Sequence, residues 1–226
     1  MRNLMLIGGP SHPFRETAPR VSAILAEAGF VTDVYEDIET GLRELARDAH
    51  RMLTVHCLRW SMSQSAKYAP LRDQWALSLS DVGRKAIEAH LQGGGGLLGL
   101  HTASISFDDW PAWRAHLGAA WKWDRSSHPP CGPLLVTIDD KDHPITRGVM
   151  DFECEDELYS DLSIDPAAKI LAHARIGQGG LQPVVFAHET VAGRAAYLAL
   201  GHGPTSFEVP AHAQMVRQAA RWCAQA

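Results

Sequence analysis

Apolar runs and helical stripes alternate along the first hundred residues. Asn3 to Ile7 is an apolar run that stops at Gly8-Gly9-Pro10, the pattern of a buried strand ending in a loop. Thr17 to Ala28 places Val21, Ile24, Leu25 and Ala28 at helical spacing, with Gly29 as the stop. Phe30 to Tyr35 reads as a second strand, Leu42 to Arg47 as a short helix, and Met52 to Cys57 as a third strand. Arg59 to Pro70 is a polar excursion carrying Trp60, Met62 and Tyr68, ahead of a helix over Asp81 to Leu91. Gly93 to Gly96 break the chain, and Leu97-Leu98-Gly99-Leu100 run in as a fourth strand ending at His101. The second half is less regular. It predicts a helix over Phe107 to Leu117, short strands at Leu134 to Ile138 and Lys169 to Ala174, and a closing pair at Pro183 to Ala187 and Arg194 to Leu200. A terminal amphipathic helix spans Val209 to Ala224.

Strand, helix and strand in repetition require crossover connections. The pattern therefore predicts an α/β fold, a three-layer sandwich with a mostly parallel central sheet and helices on both faces. Strands as continuously apolar as Leu4-Met5-Leu6-Ile7 suit a sheet covered on both sides. No repeat, low-complexity tract or linker interrupts the chain, so residues 1–226 read as one domain, long enough to bury a sizeable core.

Composition narrows the function. The formal charge is −5 and no basic stripe is present, which sets nucleic acid aside. No segment approaches the ~18 apolar residues of a membrane span. The first apolar run ends in Gly-Gly-Pro and reads as a strand rather than a leader. Cys57, Cys131, Cys154 and Cys223 are scattered without CxxC spacing, which argues for reduced thiols, a cytoplasmic chain and no thiolate zinc site. Seven tryptophans, several in loop-like segments, lead us to expect a homo-oligomer.

The sharpest local feature is Gly99-Leu100-His101-Thr102-Ala103 between a strand and a helix. A sharp strand-to-helix turn needs small residues two before and two after its apex, and it exposes the apex side chain. In open α/β sheets such carboxyl-end crevices hold ligands. A histidine at the apex can act as acid, base or metal ligand near neutrality.

This segment resembles the nucleophile elbow of the class I glutamine amidotransferase fold, with histidine in place of the nucleophilic cysteine. More specifically, the chain is similar to the ThuA-like trehalose-utilisation family. The resemblance rests on Gly96 to Ala103, Asp142-His143-Pro144-Ile145-Thr146-Arg147-Gly148, Asp156-Glu157-Leu158-Tyr159, and Gly193-Arg194 through Leu200-Gly201-His202. It implies a carbohydrate-processing role on trehalose-type or 3-oxo disaccharides, alongside dehydrogenases that make 3-oxo sugars. It also places His202 near His101, because the amidotransferases carry their catalytic histidine after a late strand.

The candidate catalytic residues are thus His101, His202 and Glu157, working by isomerase, lyase or hydrolase chemistry. With no thiol at the elbow, glutaminase chemistry is not expected. Candidate substrate contacts are Gly9 and His12 in the first loop, Thr102 on the elbow, Trp123 and His128 in the Trp-rich segment, and Tyr159. No local HxH or HExxH spacing occurs. Any metal site has to be assembled from separate loops, and His12, His101, His128, Glu157 and His202 offer nitrogen and oxygen donors suited to zinc or a similar ion. His143, before a proline, reads as structural. The competing class is a non-catalytic sugar-binding or regulatory module that kept the fold and lost the nucleophile.

Overall fold

The computed structural model describes residues 1–190 and 193–225. The described residues form eleven strands: β1 (Arg2–Gly8), β2 (Val31–Tyr35), β3 (Met52–Cys57), β4 (Gly96–Leu100), β5 (Ala119–Ala120), β6 (Gly132–Ile138), β7 (Phe152–Asp156), β8 (Ser163–Ile164), β9 (Lys169–Arg175), β10 (Gln182–Thr190) and β11 (Gly193–Leu198). Nine of them make one sheet in the order β2-β1-β3-β4-β11-β10-β9-β6-β7, and β5 pairs with β8 in a small separate ladder. From β2 to β11 every pairing is parallel. From β11 to β7 every pairing is antiparallel.

The α/β class and the parallel core follow the sequence pattern. Every residue of β3 and β4 is buried, as a strand covered on both faces requires. The antiparallel wing is larger than the short strands of the second half suggest. Its outer strands β6 and β7 alternate, β6 with Leu134, Val136 and Ile138 turned inward, whereas β10 and β11 carry continuous buried runs over Val184–His188 and Ala195–Leu198.

The helices are α1 (Phe14–Glu27), α2 (Ile38–Arg47), α3 (Arg72–Trp75), α4 (Asp81–Gln92), α5 (Trp113–Leu117), α6 (Pro204–Glu208) and α7 (Pro210–Cys223). α1 packs with α7 on one face of the parallel sheet, and α2 with α4 on the other. α2 starts because the Asp37 carboxylate accepts from the Thr40 amide, and it buries Ile38, Leu42 and Leu45, one stripe of a 3.6-residue period. α4 starts in the same way, with the Ser80 hydroxyl accepting from the Gly83 amide. The long helix expected over Phe107 to Leu117 is shorter. A 3₁₀ turn spans His101–Ser104, and regular helix begins only at Trp113, where the Trp113 indole donates to the Ala103 carbonyl. Among the described residues no helix is long and apolar enough to cross a membrane.

Candidate active site

Parallel strands deliver their following loops to one edge of the sheet. β1 leads into Gly9 and His12, β4 ends directly at His101, and β11 leads to His202. The chain leaves β1 for β2 on one side and returns to β3 on the other, so the crevice opens where ligands of open α/β sheets bind.

His101 sits at φ 43°, a left-handed conformation that costs a residue with a Cβ on the order of 1–3 kcal/mol. The surroundings hold it there. The Tyr197 hydroxyl donates to the His101 carbonyl at 2.8 Å, and the Thr102 hydroxyl donates to the Cys57 carbonyl at 2.7 Å. Small flanking residues are needed for the reason the sequence suggested. A Cβ on Gly99 would collide with Leu117 Cδ1 and lie 3.1 Å from the Ala103 Cβ. Gly99→Val should therefore cost about 1–3 kcal/mol by overpacking. For a chain of this size that is a fall in melting midpoint of about 2–4 °C per kcal/mol, readable by calorimetry; an unchanged midpoint would contradict the steric account.

Glu157 arrives from the other end of the sheet. β7 lies four strands from β11, a separation of ~19 Å in a flat sheet at ~4.8 Å per strand. Yet the buried Asp156 carboxylate accepts from the amides of Gly201 (2.7 Å) and His202 (3.1 Å) and from the Ser206 hydroxyl (2.5 Å). It also accepts from the Glu157 amide at 2.8 Å. The antiparallel wing must therefore curl back over the carboxyl edge, and Asp156 clamps it to the end of β11. That clamp places Glu157 and Tyr159 in the crevice.

The result is a compact cluster. Glu157 Oε2 lies 3.3 Å from His101 Nε2, 3.3 Å from His202 Nδ1 and 4.0 Å from His12 Nε2. One donor atom from each of these four residues falls within 4.8 Å of all the others. His128 Nδ1 stands 3.5 Å from the second carboxylate oxygen, and the Tyr159 hydroxyl is 3.1 Å from His101 Nε2. Backbone carbonyls fix two of the rings. His101 Nδ1 donates to Ala199 O at 2.8 Å and His12 Nδ1 to Pro10 O at 3.3 Å, so each turns an Nε2 lone pair inward. His12 Nε2, His202 Nδ1 and Glu157 Oε2 are buried and satisfy no hydrogen bond. Such orphans cost on the order of 1–3 kcal/mol each, so three converging on one point mark a place built for something else.

The electrostatics agree with the geometry. Burial opposes ionisation of Glu157, but the imidazoles of His101, His202 and His128 around it outweigh burial and hold the carboxyl well below its usual range. His202 is pushed up, chiefly by Glu157. Burial, reinforced by His101 and His202, pushes His12 down to about 3, so its ring is neutral at physiological pH. Burial raises the Tyr159 hydroxyl well above the usual phenol range.

Around the cluster runs an aromatic wall. Tyr159 tilts against His101, Trp121 meets Tyr159 edge-on, and Trp123 links Trp121 to Trp60 and Tyr68. On the His12 side a cavity of about 400 Å³ opens, bounded by Gly9, Glu36, Gln74 and Trp75. That volume falls within the ~300–1,000 Å³ of small-ligand sites.

The structure thus brings together His12, His101, Glu157 and His202, with His128 and Tyr159 on the flanks. Gly9 borders the cavity at φ 138°, so close to Leu58 that a Cβ would strike its carbonyl oxygen. Trp123 lies in the wall, against Trp121, Trp60 and Tyr68. Thr102 is placed differently from the sequence expectation: it is fully buried, with its hydroxyl on Cys57, and serves the turn rather than a ligand. His143 accepts from the Ile145 amide and packs on Trp222, a structural role. The expectation of a homo-oligomer rested on surface tryptophan, and the seven are instead buried or half-buried, several of them lining the site.

Sequence reasoning did not single out Asp156, Trp121, Gln74 or Trp75. Asp156 was visible beside Glu157, since a strand that ends in two carboxylates must turn one of them inward. The other three required the tertiary fold.

The sequence from residue 8 to residue 223 matches a family model, ThuA, described as trehalose utilisation. No curated protein sequence matches the chain. A ThuA-like protein from Parabacteroides merdae superposes with a TM-score of 0.76 at 18% identity, covering 99% of this chain and 90% of that one. A cytoplasmic protein from Salmonella typhimurium gives 0.66 at 13% identity over 97% and 98%. A β-galactosidase from Bacillus circulans sp. alkalophilus gives 0.59 at 12% identity, with 98% of this chain on 30% of that one. At these identities the likeness is one of fold.

Proposed function

We propose that this chain, which belongs to the ThuA trehalose-utilisation family, is an enzyme that removes a proton beside the carbonyl of a 3-oxo disaccharide. The observation that supports this most is the convergence of three imidazoles and one carboxylate, with three buried atoms left unpaired. A glycosidase would need two carboxylates flanking the bond, about 5–9.5 Å apart. The cluster offers Glu157 alone, because Asp156 is fully engaged with the amides of Glu157, Gly201 and His202 and with Ser206.

A sugar C–H becomes acidic only next to a carbonyl, where the electron pair it leaves can be delocalised. Removal of that proton leads to a shifted carbonyl, or to cleavage of the glycosidic bond when the neighbouring C–O bond takes up the electron pair as it breaks. His101, His202 and Glu157 form the reacting centre, as acid–base groups or as ligands, and Tyr159 is the buried hydroxyl positioned to deliver a proton. The aromatic wall and the cavity beside His12 suit the apolar faces of sugar rings. Proton NMR of the protein with 3-oxo-trehalose and with trehalose tests this: the 3-oxo sugar should be consumed and trehalose left intact. Binding of both without turnover would favour the sugar-binding module.

Glutaminase chemistry is not supported by the thiols either. Burial pushes Cys57, Cys154 and Cys223 up to about 12 and raises Cys131 as well, so none is a thiolate near neutrality. Incubation with glutamine should release no ammonia; release that disappears on substituting one of these cysteines would contradict the assignment.

A further inference from the structure

We propose that His12, His101, Glu157 and His202 form a binding site for one divalent transition-metal ion of the zinc type. The inference rests on the reading of this cluster as the reacting centre and specifies how the centre works. A tetrahedral ion with metal–donor distances of ~2.0–2.2 Å has donor–donor edges of ~3.3–3.6 Å. Two edges of the cluster, from Glu157 Oε2 to His101 Nε2 and to His202 Nδ1, are already 3.3 Å, and the third, to His12 Nε2, is 4.0 Å.

The outer contacts are those of a metal site. Ligating histidines donate their second N–H to a backbone carbonyl or carboxylate, which fixes the tautomer and aims the lone pair. His101 does so on Ala199 and His12 on Pro10. Three of the four donor atoms are buried without a hydrogen-bond partner, and the fourth, His101 Nε2, meets only the Tyr159 hydroxyl. A cation satisfies all four at once and releases Tyr159 for the sugar. Three imidazoles and a carboxylate select a borderline ion such as zinc over magnesium or calcium, which prefer all-oxygen sites. The ligands come from the ends of β1, β4, β7 and β11, so no sequence spacing announces them. His202, with its side chain 24% exposed, lies on the side open to solvent, while His101 is fully enclosed. When bound, the ion would place a strong positive charge beside the sugar carbonyl.

The test uses Zn²⁺ and Co²⁺ as probes on the full chain, stripped with a chelator and checked by its melting curve. One equivalent of either ion should bind per chain, Co²⁺ should develop a visible ligand-field spectrum, and Zn²⁺ should raise the melting midpoint. His101→Ala and His12→Ala should each weaken binding by more than the ~10–100-fold that loss of an outer contact costs. His143→Ala should bind as the parent does. To guard against a variant that loses its fold, Glu157→Gln, which keeps the shape, is read alongside them and should also lose the zinc-dependent rise in midpoint. A parent that takes up neither ion, or an equivalent that survives in folded His101→Ala, would overturn the proposal. Turnover of 3-oxo-trehalose that persists in chelator would remove the metal and leave the carbonyl reading standing. A bound equivalent without any turnover would do the reverse.

Discussion

His101→Ala should reduce turnover of a 3-oxo disaccharide by ~10²–10⁴-fold, the usual worth of one positioned acid–base group, with loss of a metal ligand at least as damaging. His101 is the hub of the site: its ring touches Tyr159, faces His12 and His202, and stands 3.3 Å from Glu157. Alanine at φ 43° adds no strain beyond what histidine already bears there. It does leave the Ala199 carbonyl without its donor, so some stability is lost as well. His101→Gln, closer in volume, separates the two effects: it should melt near the parent yet remain as inactive as the alanine variant. The measurement is kcat and KM for each variant beside its melting curve. Full activity in either would remove His101 from the reaction.

Asp156→Ala should destabilise the chain by on the order of 3 kcal/mol and lower kcat with it. The carboxylate is completely buried, and its removal strands the donors of Glu157, Gly201, His202 and Ser206. Each buried donor left without an acceptor costs on the order of 1–3 kcal/mol, partly relieved by movement of the loop. Asp156 touches no substrate; it is a positioning residue that holds the wing bearing Glu157 against the loop bearing His202. Ser206→Ala is the control, because it removes one donor and keeps the three backbone amides of Glu157, Gly201 and His202. It should cost stability but retain kcat, whereas Asp156→Asn should lose kcat with KM little changed. Chemical denaturation and steady-state kinetics on the three variants read this out. Equal loss of kcat in Ser206→Ala would reduce Asp156 to a purely structural role.

Much of the parallel half was legible because its signals are local. The run Leu4 to Ile7 closed by Gly8 and Gly9, the stripe of α1 ended by Gly29 at φ 91°, and the small residues around His101 each follow from a few neighbouring positions. The antiparallel wing was harder to read. β6 and β7 carry mixed patterns because they are half-covered, and the pairing of β6 with β9 across a long connection leaves no local mark. The site itself was legible as a set of residues: His12, His101, Glu157 and His202 were all singled out, three from strand ends on a common edge and Glu157 from its motif. What could not be read was the curl that carries β7 back to β11, since it depends on the twist of the sheet and on one buried carboxylate. The same holds for Thr102, a candidate ligand contact in the sequence, whose hydroxyl is held by a carbonyl of the neighbouring strand.

The claim at the centre of this account, that the cluster breaks a C–H bond beside a sugar carbonyl, is tested most directly with 3-oxo-trehalose deuterated at carbon 2. Turnover by the parent protein should be slowed by the label, and mass spectrometry of the product should find the deuterium gone from that carbon. A product that forms at the unlabelled rate and keeps its deuterium at carbon 2 would contradict the account.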